Sequence, residues 1–89
     1  MKKIKVIYKR LKKVWGYANM DDGTIEIDNR AKGKKHLEIV LHEMTHILWP
    51  DETEEEVERK SIIMTNTLWH EKYRRIDDAN HTPLQDGTT

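Results

Sequence analysis

Leu37-Glu38-Ile39-Val40-Leu41-His42-Glu43-Met44-Thr45-His46-Ile47-Leu48-Trp49 is the stretch on which the reading of this chain turns. Its apolar residues recur at helical spacing. Leu37, Val40, Leu41, Met44 and Leu48 form one stripe, and Ile39, His42 and His46 run along another. The first stripe is the face such a helix is expected to bury, which leaves the histidines at its edge, where a cleft would lie. Two histidines four residues apart project from the same side of a helix, about one turn from each other. Both imidazoles can then reach one tetrahedral Zn²⁺ at roughly 2.0–2.1 Å. Glu43, next to the first histidine, is placed to act on a water in the fourth position.

His42-Glu43-Met44-Thr45-His46 is therefore an HExxH pattern, in which the histidines hold zinc and the glutamate is a general base. The chain has five histidines and nine glutamates. A chance match in such a composition is rare, on the order of a few per cent, and the helical flanks weigh further against it. His70-Glu71-Lys72-Tyr73-Arg74 begins the same way but ends in arginine, so it offers no second site of this type.

Length and composition narrow what such a helix can belong to. The chain has 89 residues, 36% of them apolar and 36% charged. One small domain with a thin core is expected, and a bound metal would help to hold it together. No apolar run is long enough to span a membrane, and the basic N-terminus lacks the apolar segment of a signal peptide. Cysteine is absent, which removes disulfides and cysteine zinc sites and fits a cytoplasmic location. Net charge is zero but unevenly spread. Residues 1–35 carry eleven Lys/Arg and four acids, and residues 36–89 carry five and twelve. Two solvated faces that neutralise each other account for this better than a nucleic-acid partner, because no aromatic interleaving accompanies the basic half.

Taken in order, Lys3-Ile4-Lys5-Val6-Ile7-Tyr8 alternates as a strand does. An amphipathic helix over 4–14, with Ile4, Ile7, Leu11 and Val14 on one face, is the competing reading. Asp22-Gly23 between Tyr17-Ala18-Asn19-Met20 and Thr24-Ile25-Glu26-Ile27-Asp28 marks a hairpin. Ile25 and Ile27 then face one side, and Thr24, Glu26 and Asp28 the other. A polar loop over 29–35 leads to the motif helix, expected over 36–48 and stopped by Pro50. A second helix follows from Thr53 to about Arg74. Thr53 is its N-cap, Glu56 completes a capping box, and Glu54, Glu55 and Glu56 lie in the first turn, where the helix dipole favours acids. Val57, Ser61, Met64 and Leu68 form its inner stripe. The expected domain covers residues 1–75, with a disordered polar tail over 76–89. The fold class this predicts is α+β: a small antiparallel sheet, made of the hairpin and the N-terminal strand, packed on the HExxH helix and a second antiparallel helix.

A catalytic zinc site needs a third protein ligand. A histidine six residues after His46, preceded by glycine, would supply it in one known arrangement, but those positions hold Glu52 and Trp49. The short corner at Pro50 instead makes the two helices antiparallel, so the second helix starts beside His46. Glu54 and Glu58 both adjoin its inward face and qualify equally on geometry. Glu55 and Glu56 point outward.

The segment Leu41 to Trp49 followed by Pro50-Asp51-Glu52-Thr53-Glu54-Glu55-Glu56-Val57 resembles the small HExxH proteins often encoded by phages and mobile elements. These are zinc metallopeptidases of the gluzincin type, distantly similar to SprT-like and ImmA-type peptidases. In that pattern the motif helix is followed by a Pro-Asp corner, a Ser/Thr, acidic residues, an aliphatic and a small residue four further on. Here those are Thr53, Glu54, Val57 and Ser61. The resemblance covers roughly residues 15–75. It implies a minimal zincin-like domain, Glu54 as the third zinc ligand, and the strand Thr24–Asp28 beside the active site. The SprT-like cysteine ribbon and the ImmA-type DNA-binding domain are missing.

The function expected is peptide-bond hydrolysis. Zinc on His42, His46 and Glu54 would activate water and polarise the substrate carbonyl, with Glu43 moving the proton. A peptide or protein substrate would add to the sheet edge as a strand. Tyr17, His36, His70 and Tyr73 are candidates for stabilising the oxyanion. Two other classes compete. A non-catalytic, zinc-containing accessory or protein-binding module suits so small a domain, but it has no use for Glu43. A nucleic-acid-associated protein would bind in a strongly salt-sensitive way.

Overall fold

A computed structural model describes residues 3–76 of the chain. The elements are β1 (Lys5–Lys9), β2 (Gly16–Asn19), β3 (Thr24–Asp28), α1 (Gly33–Leu48) and α2 (Glu54–His70). The fold is α+β: a three-stranded sheet lies against α1, and α1 packs against α2. The tail expected over 76–89 lies, from residue 77 on, outside the described residues. Among the described residues no helix is long and apolar enough to cross a membrane.

The β2–β3 hairpin forms where Asp22-Gly23 placed it. Gly23 sits at φ 71°, a left-handed conformation that glycine adopts without a Cβ clash. Its N–H donates to Asn19 O at 3.0 Å, and Asp22 Oδ1 accepts from Thr24 N at 3.0 Å. Ile25 and Ile27 are fully buried, as their alternation requires. Asp28 is the exception to that alternation. It was expected on the outer side, yet it is fully buried. Its carboxylate accepts from Leu11 N at 3.0 Å and from Arg30 N, Nε and Nη2 at 2.8–2.9 Å.

The sheet is mixed, which corrects the all-antiparallel sheet expected from sequence. β3 is the middle strand, antiparallel to β2 and parallel to β1, with Lys5 opposite Thr24 and Lys9 opposite Asp28. The loop 10–15 carries the chain across the end of β3, so β1 and β2 run in opposite directions with a gap between them. The hairpin folds β3 back into that gap. Asp28 fastens the crossing: its N–H donates to Trp15 O at 2.8 Å, Asn29 N donates to Lys9 O at 3.0 Å, and its carboxylate holds Leu11. This pairing also rules out the helix over 4–14.

α1 begins at Gly33, three residues earlier than expected. Its buried positions are His36, Ile39, Thr45 and Ile47, while Leu37, Val40, Leu41 and Met44 are half-buried and Leu48 is 48% exposed. The stripe ending in Leu48 is thus not the most buried one. α1 is enclosed by the sheet on one side and α2 on another, so its interior arc is wider than a single stripe and turned toward Ile39 and Ile47. Ile25, Ile27, Ala31, Ile39 and Ile47 make the core cluster. It is thin, as a chain with 36% charged residues leads one to expect.

Trp49-Pro50-Asp51-Glu52 forms the corner, closed by Glu52 N donating to Trp49 O at 3.1 Å. Thr53 caps α2, its hydroxyl accepting from Glu56 N at 3.1 Å. The return bond of the expected capping box is not among the bonds Glu56 makes; its carboxylate turns outward to Arg59 at 2.6 Å. Val57, Ser61 and Thr65 are buried, with Met64 and Leu68 half-buried. α2 ends at His70 rather than near Arg74. Lys72 takes φ 74°, Lys72 N donates to Trp69 O and Tyr73 N donates to Leu68 O, both at 3.0 Å. This is the paired closure that usually employs glycine. With lysine in that position, the sequence carries no stop signal.

Candidate metal centre

The helical period sets His42 and His46 on one line of α1 and Ile39 and Glu43 on the neighbouring line. The two lines meet different partners. His42 and His46 face the start of α2, while Ile39 and Glu43 face β2. The imidazoles are 5.0 Å apart between centroids, in an edge-to-face arrangement at 68°.

The antiparallel return at Pro50 brings Glu54 onto both histidines. Glu54 Oε2 lies 3.0 Å from His42 Nε2, and Glu54 Oε1 lies 3.1 Å from His46 Nε2. One carboxylate therefore bridges the two ring nitrogens that point at a common centre. The ligand atoms of His42, His46 and Glu54 all lie within 4.8 Å of one another, the spacing of a group that could hold a metal ion. The histidine side chains are mostly covered, 17% and 22% exposed, whereas Glu54 is 70% exposed. The cluster is anchored on its protein side and open on its solvent side.

Glu58, one turn along α2, occupies a different place. Its Oε1 is 3.2 Å from His42 Nδ1, the nitrogen directed away from the cluster. A carboxylate on the second nitrogen of a ligating imidazole fixes its tautomer and ring orientation. Helix geometry alone leaves Glu54 and Glu58 equivalent, and the resemblance implies Glu54; in the fold Glu54 lies against both histidines and Glu58 against the far nitrogen of His42.

Glu43 is half-buried under β2. Burial raises its pKa above the ordinary carboxylate value; the neighbouring His42 and His46 work against this, and Glu54 adds to it. Gly16 makes the close approach of β2 feasible. A Cβ on that residue would stand 2.7 Å from Ile39 Cγ2, 3.1 Å from Glu43 Oε2 and 3.2 Å from Glu43 Cγ. Gly16 was not singled out from the sequence, although a glycine opening a strand is itself a sign of close backbone contact.

A cavity of about 230 Å³ adjoins the cluster, between the start of β2, α1 and Glu58. Trp15, Gly16, Glu38 and Glu43 help to line it. The strand at this cavity is β2, an edge strand, rather than Thr24–Asp28, which the resemblance had implied and which is paired on both sides. None of the expected oxyanion candidates lines it. His36 and Tyr73 line a separate cavity at the other end of α1. His70 closes α2, sixteen residues and therefore roughly 24 Å from Glu54 along the axis. Tyr17 is 56% exposed and alternates with Gly16 and Ala18, onto the face of the sheet away from α1.

No protein-family model, curated protein or solved structure matches this chain.

Proposed function

We propose that this chain is a minimal zinc-dependent peptidase, with His42, His46 and Glu54 as metal ligands and Glu43 as general base. The observation that carries the reading is the bridging of both His Nε2 atoms by Glu54, with Glu43 on the adjoining line of the same helix. Two neutral imidazoles and one carboxylate are a donor set that suits zinc in a catalytic role, and they leave a position for water. A zinc ion held by these three residues would supply Lewis acidity toward water and a substrate carbonyl.

The chain's own residues account for the rest. Glu58 keeps His42 oriented with Nε2 toward the cluster. Glu43, raised in pKa by burial, accepts the proton of the attacking water and delivers it to the departing amine. β2, an edge strand beside the cavity, offers unpaired backbone groups to an extended peptide or protein substrate. The cytoplasm, that of a host if the chain is phage-encoded, is the proposed compartment, in keeping with a sequence that has no cysteine.

One observation favours a second reading, a non-catalytic metal-containing accessory or protein-binding module. The cavity of about 230 Å³ is smaller than most ligand pockets. The two readings separate on one experiment: metal content and hydrolysis of an unstructured peptide library by wild type and Glu43→Gln. Zinc in both proteins with hydrolysis only in the wild type supports the peptidase. Zinc in both and hydrolysis in neither supports the module, and no zinc in the wild type overturns both.

A further inference from the structure

At the opposite end of α1 from the metal cluster lies a larger cavity, about 480 Å³. The antiparallel helices create it, because the start of α1 meets the end of α2 there. His36 is six residues, roughly 9 Å along the axis, from His42, the nearest member of the metal cluster, and the two cavities share no lining residue. Its walls are aromatic. Tyr8 stacks on His36 with centroids 5.7 Å apart at 24°, its hydroxyl 2.9 Å from His36 Nε2, and Trp69 lines the cavity as well. Its charge is of one sign. Lys32, Arg74 and Arg75 line it, and no carboxylate does so among the described residues.

The cations are already arranged over ring faces. The Arg75 guanidinium carbon lies 4.4 Å from the Tyr8 centroid, and that of Arg74 lies 3.5 Å from Trp69. Arg74 spends Nη1 on the carbonyls of Trp69 and Tyr73. Arg75 and Lys32 make no ion pair among the described residues. Burial lowers the pKa of His36, and the positive charges of Arg75 and Lys32 lower it further, which favours the neutral imidazole.

We infer that this cavity binds a small planar anion, an aromatic ring carrying a phosphate or carboxylate group. The ring packs against the aromatic wall made by Tyr8, His36 and Trp69, and the anionic group meets Arg75 and Lys32. The volume suits such a molecule, since small-molecule pockets run from about 300 to 1,000 Å³. Arginine supplies the geometry for either head group, two parallel N–H donors in one plane.

The test is a titration of the full chain with phenyl phosphate and with benzoate, followed by amide and indole NMR shifts, with phenol and inorganic phosphate as controls. One aromatic anion is expected to saturate at least about tenfold more tightly than either control, because both parts of the cavity contribute. The shifts should centre on Tyr8, His36 and Trp69 and leave His42 unmoved. Arg75→Gln and Lys32→Gln should each weaken binding by about three- to tenfold. Tighter phenyl phosphate assigns a phosphate head group, and tighter benzoate a carboxylate. The inference is overturned if neither aromatic anion saturates by about 10 mM, if both variants bind as the wild type does, or if the shifts cluster at His42.

Discussion

Gly16 of β2 lies directly against Glu43 of α1, so close that a Cβ on Gly16 would stand 3.1 Å from the Glu43 carboxylate and 2.7 Å from Ile39. The general base proposed for the site is thus seated by the absence of a side chain on another element. Gly16→Ala should push Ile39 and Glu43 out of place. Overpacking of this kind costs roughly 1–3 kcal/mol. Hydrolysis should fall more than stability alone explains, with zinc content unchanged. Chemical denaturation together with metal analysis checks this; a variant with wild-type turnover would show that Glu43 does not depend on this contact.

Metal content should separate the two glutamates of α2. His46→Ala and Glu54→Ala are expected to lose zinc, since each removes an atom pointing at the common centre. Glu58→Gln should keep one zinc per chain but bind it about 10–100-fold more weakly, the usual cost of losing a carboxylate behind a ligating histidine. Elemental analysis and chelator competition measure both. Zinc retained by Glu54→Ala and lost by Glu58→Gln would reverse the assignment.

Glu43→Gln should retain zinc and lose about 10²–10⁴-fold in hydrolysis, the contribution of a positioned general base. The folded protein without metal should be no less stable than wild type at neutral pH, because burial disfavours the Glu43 carboxylate and the amide removes that charge. Turnover that survives the substitution would eliminate Glu43 as the base.

Asp28 should make the fold acid-sensitive. Hydrogen bonds from the Arg30 side chain hold its carboxyl well below the usual range, helped by the backbone N–H groups of Arg30 and Leu11 and opposed by burial. A depressed folded-state pKa contributes stability that is present above the ordinary aspartate value, near 4, and is lost as pH falls below it toward the folded value. Asp28→Asn should flatten that part of the stability–pH curve and lower the melting temperature at neutral pH. A variant that keeps the wild-type acid profile would remove Asp28 as the cause.

Thr53→Ala should cost about 1 kcal/mol by freeing the Glu56 N–H at the start of α2. Because Glu54 is the next residue, zinc affinity should fall as well. Thermal melts with and without zinc would show the two losses together.

The motif helix, the hairpin and the capped second helix were legible because each rests on a local signal: the four-residue histidine spacing, Asp22-Gly23, and Thr53 before three glutamates. Features that depend on distant contacts carry no such signal. The sequence puts the end of α2 near Arg74 because Lys72, where the closing turn forms, gives no glycine signal. Strand alternation puts Asp28 on the outer face because it contains nothing of Leu11 and Arg30 closing over it.

By itself the sequence determined which side chains share a line. Helical periodicity puts His42 and His46 together, and strand alternation puts Ile25 and Ile27 together, whatever surrounds them. The tertiary structure decided what each line meets. Glu54 rather than Glu58 closes the histidine cluster because the corner at Pro50 fixes how far α2 slides along α1. β1 runs parallel to β3 because the loop 10–15 leaves a gap for the hairpin to fill. Glu43 sits under an edge strand because Gly16 lets the backbone come close. Each is a contact between segments distant in the chain, set by the packing of whole elements, and no window of neighbouring residues contains it.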